Sequence, residues 1–113
     1  MRLLELVSSP STDLALVEAV SQFADSKLGK NCVTCKDTPG FIGNRIGIYW
    51  LLYGLLDAIG HGITVEQADN IMPNFGIPKT GIFGLLDLVG LDLIPPILKG
   101  MKLALPPQDA FHE

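Results

Sequence analysis

Residues 36 to 45 read Lys36-Asp37-Thr38-Pro39-Gly40-Phe41-Ile42-Gly43-Asn44-Arg45, and this run organises the chain around it. Thr38 precedes a proline and is pushed toward extended geometry, Pro39 fixes its own φ, and Gly40 permits unusual or close backbone geometry. A long apolar stretch begins at Phe41 and reads as a helix. The run is therefore a strand end, a turn and a helix start, with Asn44 and Arg45 projecting from the first helical turn at the junction of two structural units.

Upstream, Leu3-Leu4-Glu5-Leu6-Val7 suits a buried strand, and Asn31 to Lys36 a second. Between them Ser8 to Asp13 is turn and cap chemistry, with Ser11 or Thr12 expected at the N-cap. Leu14, Val17, Val20, Ala24 and Leu28 follow helical spacing, and Gly29 stands where a helix-ending glycine belongs. Strand, helix and strand of these lengths predict a crossover joining parallel strands.

Downstream, the helix is expected from Phe41 to Ile59. Ile42, Ile46, Tyr49, Tyr53 and Leu56 mark one face, and Ile48, Trp50, Leu51, Leu52 and Leu55 fill the others. No charge interrupts Ile46 to Leu56. A helix apolar all round is buried or meets another subunit, and this run falls short of the ~20 residues that span a bilayer. The apolar surface and the unpaired edges of a two-stranded unit lead to an expected self-association, through edge pairing or through the long helix with Ile48, Trp50, Leu51, Leu52 and Leu55.

Thr64-x-x-Gln67 is a capping-box pattern, placing Ala68, Ile71, Met72 and Phe75 inward on a third helix that Pro73 and Gly76 close. A loop over 76–81 precedes a short helix through Leu85, Leu86 and Val89, stopped by Gly90. Asp92 is expected to cap the last helix, with Pro95 and Pro96 in its first turn. Pro106 and Pro107 end it, and Gln108 to Glu113 reads as a frayed tail.

Composition narrows the function. The chain has 113 residues, is 48% hydrophobic and 18% charged, and carries a net charge of -4. The charged share lies below the ~25% of ordinary soluble domains, and the sign of the charge argues against a nucleic-acid partner. No signal peptide is legible around Arg2 and Glu5, and the expected location is cytoplasmic. Cys32-Val33-Thr34-Cys35 has metal or redox spacing but no second Cys/His pair. Residues three apart on a strand face opposite sides, so two small strand residues are the better reading and no metal site is expected.

The 36–45 run resembles the signature of the 3-hydroxyacyl-CoA dehydrogenases. Met1-Arg2-Leu3-Leu4-Glu5-Leu6-Val7 is similar to the family's Met-Lys-Leu-Val-Glu segment, and Phe83-Gly84-Leu85-Leu86-Asp87-Leu88-Val89-Gly90-Leu91-Asp92 to its Phe-Glu-Leu-Leu-Asp-x-x-Gly-Leu-Asp segment. Order and spacing also agree. The resemblance implies a mainly α fold: a helical C-terminal domain over 38–113, preceded over 1–37 by a strand-helix-strand remnant of a Rossmann sheet. It implies an NAD-dependent oxidation of L-3-hydroxyacyl-CoA in fatty-acid β-oxidation, an acyl-CoA partner, and a homo-oligomer formed through the helical domain.

Two site residues follow from the resemblance. From residue type alone Glu5 is an edge-strand charge reaching solvent; in the family this Glu pairs with the catalytic His, holding its tautomer and stabilising the imidazolium. Asn44 alone reads as a polar residue near a helix start; the family places it beside the substrate oxygen and nicotinamide. Arg45 stays outside the catalytic set, as a structural ion-pair partner. Neither His61 nor His112 matches the catalytic His, and no Gly-x-Gly-x-x-Gly occurs in the sequence. The chain is thus expected to be an inactive fragment of a longer enzyme, with no cofactor-binding residues of its own. Tyr49 and Lys79-Thr80-Gly81 depart from the common pattern and bring the chain nearer the long members fused to an enoyl-CoA hydratase. The alternatives are a free-standing helical interaction module and a dehydrogenase for a different 3-hydroxy acid.

Overall fold

A computed structural model of the chain describes residues 2–76 and 79–112. It divides into two compact units, Met1–Arg45 and Ile46–Glu113. The fold is mainly α, as expected.

In the first unit β1 (Leu3–Val7) and β2 (Asn31–Cys35) pair in parallel, Leu3 opposite Asn31 and Val7 opposite Cys35. Between them runs α1 (Leu14–Leu28), ended by Gly29 at φ 60, where glycine carries no Cβ penalty. The N-cap is Asp13 rather than Ser11 or Thr12: its carboxylate accepts from Ala15 N–H at 2.8 Å. Ser9 and Thr12 instead bond each other one turn earlier. Ala24 is buried, while Leu14, Val20 and Leu28 of the same stripe are exposed.

The second unit is helical. The long helix α2 (Gly43–Gly60) starts two residues later than the apolar run suggests, because Phe41 takes a left-handed φ of 48. It is followed by α3 (Val65–Ile71), α4 (Gly81–Val89) and α5 (Ile94–Ala104), with 3-10 turns at Met72–Phe75, Leu91–Leu93 and Ala110–His112. The capping box at Thr64 and Gln67 forms with both bonds. Gly90 ends α4 as expected. Asp92 does not cap α5; it lies inside the preceding 3-10 turn, and Leu93 takes the N-cap position without a side-chain bond. The loop reading at Ile77 and Pro78 falls outside the described residues.

The core gathers Ile48, Leu51, Ile82, Leu86, Ile94, Met101, Leu105 and Phe111. Ile82 and Leu86 are its centre, each on the order of 2–3 kcal/mol of apolar burial. Three expectations change here. Ile48 and Leu51 are buried in this core, and Trp50, Leu52 and Leu55 pack against it partly buried, so most of this surface is used within the chain. The exposed side of α2 is Ile46, Tyr53, Leu56 and Ile59. On the third helix Ala68 is buried, but Ile71 and Phe75 are exposed; α3 ends at Ile71, and Phe75 lies in the 3-10 turn that follows rather than on the helical stripe. The tail is not frayed: Phe111 is 7% exposed and meets Tyr49 edge to face at 5.8 Å.

No single helix among the described residues is long and apolar enough to cross a membrane. Only α4 with Leu91–Ala104 reaches that composition together, and the two meet at 77°.

Candidate functional site

Glu5 leaves the middle of β1, half-buried, on the face it shares with its pairing partner Val33 and with Cys35. Its Oε1 accepts two backbone hydrogen bonds, from Ile42 N–H at 2.9 Å and Gly43 N–H at 2.7 Å. Residue type alone placed this carboxylate in solvent; the fold turns it onto a helix start 37 residues away. A carboxylate suits that place because the first N–H groups of a helix lack intrahelical acceptors and carry its positive dipole end.

The receiving turn is built as the sequence prescribes. Pro39 and Gly40 are the central residues of a turn closed by Phe41 N–H donating to Thr38 C=O at 2.9 Å. Gly40 has a φ of 76, the sign that position i+2 of a type II turn requires. Phe41 follows at φ 48, a left-handed conformation that costs a non-glycine residue about 1–2 kcal/mol. Arg45 N–H then reaches back to Gly40 C=O at 3.0 Å. Asn44 is exposed on the first turn of α2, next in sequence to the amide that Glu5 grips.

Cys35 is the neighbour that sequence reasoning missed. Its Sγ lies 3.8 Å from Glu5 Oε1, and burial, then the Glu5 carboxylate, push its thiol up from the ordinary value. It therefore stays protonated at neutral pH. Cys32 points the other way, toward Ser21 C=O on α1, and both cysteines are free. The opposite-face reading of this pair holds, and among the described residues no group of three His, Cys, Asp or Glu side chains could hold a metal ion.

A second capping carboxylate was not legible either. Asp69 of α3 accepts from Phe83 N–H at 2.8 Å and Gly84 N–H at 2.9 Å, capping α4 from 14 and 15 residues away. The histidines have local partners: His61 Nδ1 lies 2.9 Å from Asp57 C=O, and His112 Nε2 3.3 Å from Leu105 C=O.

Residues 40–113 match the family described as 3-hydroxyacyl-CoA dehydrogenase, C-terminal domain. The chain belongs to the 3-hydroxyacyl-CoA dehydrogenase family. An uncharacterised protein of Rickettsia conorii is 42% identical over 100% of this chain and 71% of its own length. A Rickettsia felis protein named as a fatty acid oxidation complex trifunctional enzyme is 41% identical over 100% of this chain and 16% of its own. The crystal structure of M. tuberculosis FadB2 superposes with a TM-score of 0.84 at 31% identity, over 99% of this chain and 39% of that one. The chain thus spans well under half of the family members whose names state an activity.

Proposed function

We propose that this chain serves in an NAD-dependent dehydrogenase that oxidises L-3-hydroxyacyl-CoA to 3-ketoacyl-CoA in fatty-acid β-oxidation. On this reading residues 1–37 finish a nucleotide-binding domain and 38–113 begin the helical domain. The observation that carries the proposal is Glu5, held by two N–H groups on one oxygen beside the turn that bears Asn44. Both bonds fall on Oε1, which leaves Oε2 to accept from an imidazole, fix its tautomer and stabilise its cation as it takes the substrate hydroxyl proton. Asn44 is exposed and offers an amide donor to the developing carbonyl without adding charge. The residues present do not fit the NAD phosphates, since no Gly-x-Gly-x-x-Gly run opens a helix here.

The test is Glu5→Gln in a complete dehydrogenase bearing this segment. Turnover is expected to fall about 100-fold, the low end of what a positioned acid–base pair contributes, with KM little changed. An equal loss in both, or no loss, would remove Glu5 from the proton-transfer machinery. The 113-residue chain assayed beside it is expected to show neither activity nor saturable NAD binding by calorimetry; micromolar binding would overturn that part.

The homo-oligomer belongs to this proposal with a different surface from the one first expected. Ile46, Leu56 and Ile59 are 64–65% exposed along one side of α2, with Tyr53 between them. Leu56→Glu is expected to shift sedimentation of the chain toward monomer, while Leu103→Glu, a still more exposed control at 79%, leaves it unchanged. Identical sedimentation of both variants and the parent would discard this surface.

A further inference from the structure

We infer that Glu5 is also the clamp of the Asn44 turn, so that one carboxylate positions the residues on both sides of the proposed site. The inference rests on the dehydrogenase reading for its catalytic meaning, but the clamp itself stands on geometry. Gly40 and Phe41 take successive left-handed φ values, 76 and 48. The next two N–H groups, those of Ile42 and Gly43, then converge on one point, and Glu5 Oε1 occupies it. Successive amides converging after such a conformation form an anion-binding concavity, and here the anion is the chain's own side chain.

The alternative conformation of this turn is the relaxed one. A non-glycine residue held at positive φ persists only where its surroundings over-determine it. The turn bond from Phe41 N–H to Thr38 C=O and the bond from Arg45 N–H back to Gly40 C=O, five residues earlier, bracket Phe41 but leave the Ile42 and Gly43 amides without backbone acceptors among the described residues. Glu5 supplies both. Cys35 closes one side of the carboxylate at 3.8 Å. The Cβ direction of Gly43 lies 3.6 Å from both carboxylate oxygens, so the helix start sits directly over the group. Asn44, the next residue, inherits its direction from this arrangement. A positioning role follows: whatever frees Glu5 from the turn also releases Asn44.

Two substitutions separate the clamp from the proton-transfer role. Glu5→Gln keeps a side-chain oxygen that accepts N–H bonds and removes the charge; Glu5→Met keeps the length and removes the acceptor. In the 113-residue chain, Glu5→Met is expected to lower hydrogen-exchange protection of the Ile42 and Gly43 amides about 10- to 100-fold, the range for losing bonds to a charged acceptor. The β1–β2 amides and the middle of α2 keep theirs. Glu5→Gln retains most of the protection and leaves the Asn44 side-chain resonances near their parent positions, a rescue that mere apolar packing would not show. Should Glu5→Met perturb the whole first unit, the unsubstituted chain decides. Its Ile42 and Gly43 amide nitrogens are expected to show NMR scalar coupling across the hydrogen bonds to the Glu5 carboxyl carbon. Unchanged protection in Glu5→Met, or the absence of both couplings in the unsubstituted chain, would overturn the clamp. Full turnover in Glu5→Gln with the clamp intact would overturn only the proton-transfer reading.

Discussion

Phe111→Ala is expected to destabilise the Ile46–Glu113 unit by about 3–4 kcal/mol, the ordinary cost of emptying a buried phenylalanine site. Phe111 lies one residue before His112, the last described position, yet it is 7% exposed and joins the same core as Ile48, Ile82 and Leu86. Its ring meets Tyr49 edge to face at 5.8 Å, a geometry that adds to area burial. The backbone leading to it is tied down at each step. Asp109 N–H donates to Pro106 C=O and His112 N–H to Asp109 C=O, both at 2.9 Å, while Phe111 N–H reaches the Asp109 carboxylate at 3.2 Å. An open apolar pocket of about 240 Å³ already borders the ring, lined by Leu52, Leu56, Leu98 and Lys102 among others. Truncation enlarges that pocket rather than letting neighbours collapse onto a methyl group. Trp50, the only tryptophan, packs against this core, so its fluorescence in urea reports the unit directly. Phe75→Ala, at 75% exposure, is the control and should stay within about 0.5 kcal/mol. If both substitutions cost the same, Phe111 is not a core residue.

Gly81→Ala is expected to cost at least about 3 kcal/mol, for two reasons that add. Gly81 has a φ of 69, and a side chain there costs about 1–2 kcal/mol wherever it points. The Cβ would also lie 2.5 Å from Asp69 Cα and 2.7 Å from its Cβ. The obstacle is backbone, which cannot rotate away, so α3 and α4 must separate. Separation takes the Asp69 carboxylate from the Phe83 and Gly84 amides, and losing such a cap costs about 1–2 kcal/mol more. Gly62→Ala isolates the first term: its φ is 63, but nothing lies within 4 Å of the added methyl. A Gly81→Ala cost no larger than that of Gly62→Ala, by urea midpoint, would show that the close approach to Asp69 carries no energy.

Both effects are tertiary, and they mark where legibility in the sequence ends. The stop at Gly29, the capping box at Thr64 and Gln67, the stop at Gly90 and the proline-led start of α5 were all readable, because each depends on residues within about one turn of one another; the parallel strand pair was readable because strand, helix and strand of these lengths form a crossover. The family was readable too, from three motifs in order. Asp13 displaced Ser11 and Thr12 even locally, since three capable caps in a row differ only in how the preceding turn folds. Beyond that range the sequence has no vote of its own. The apolar positions of α2 fill every side of a helix, so periodicity could not say that Ile48 and Leu51 face inward while Ile46 and Leu56 face out. That choice is made by where α4 and α5 lie. The same holds for Glu5, whose helix start is 37 residues away, for Asp69, 14 residues from the amide it caps, and for Phe111, which only the finished core can bury. Local backbone chemistry decided the elements; the meeting of distant faces decided which side chains they share.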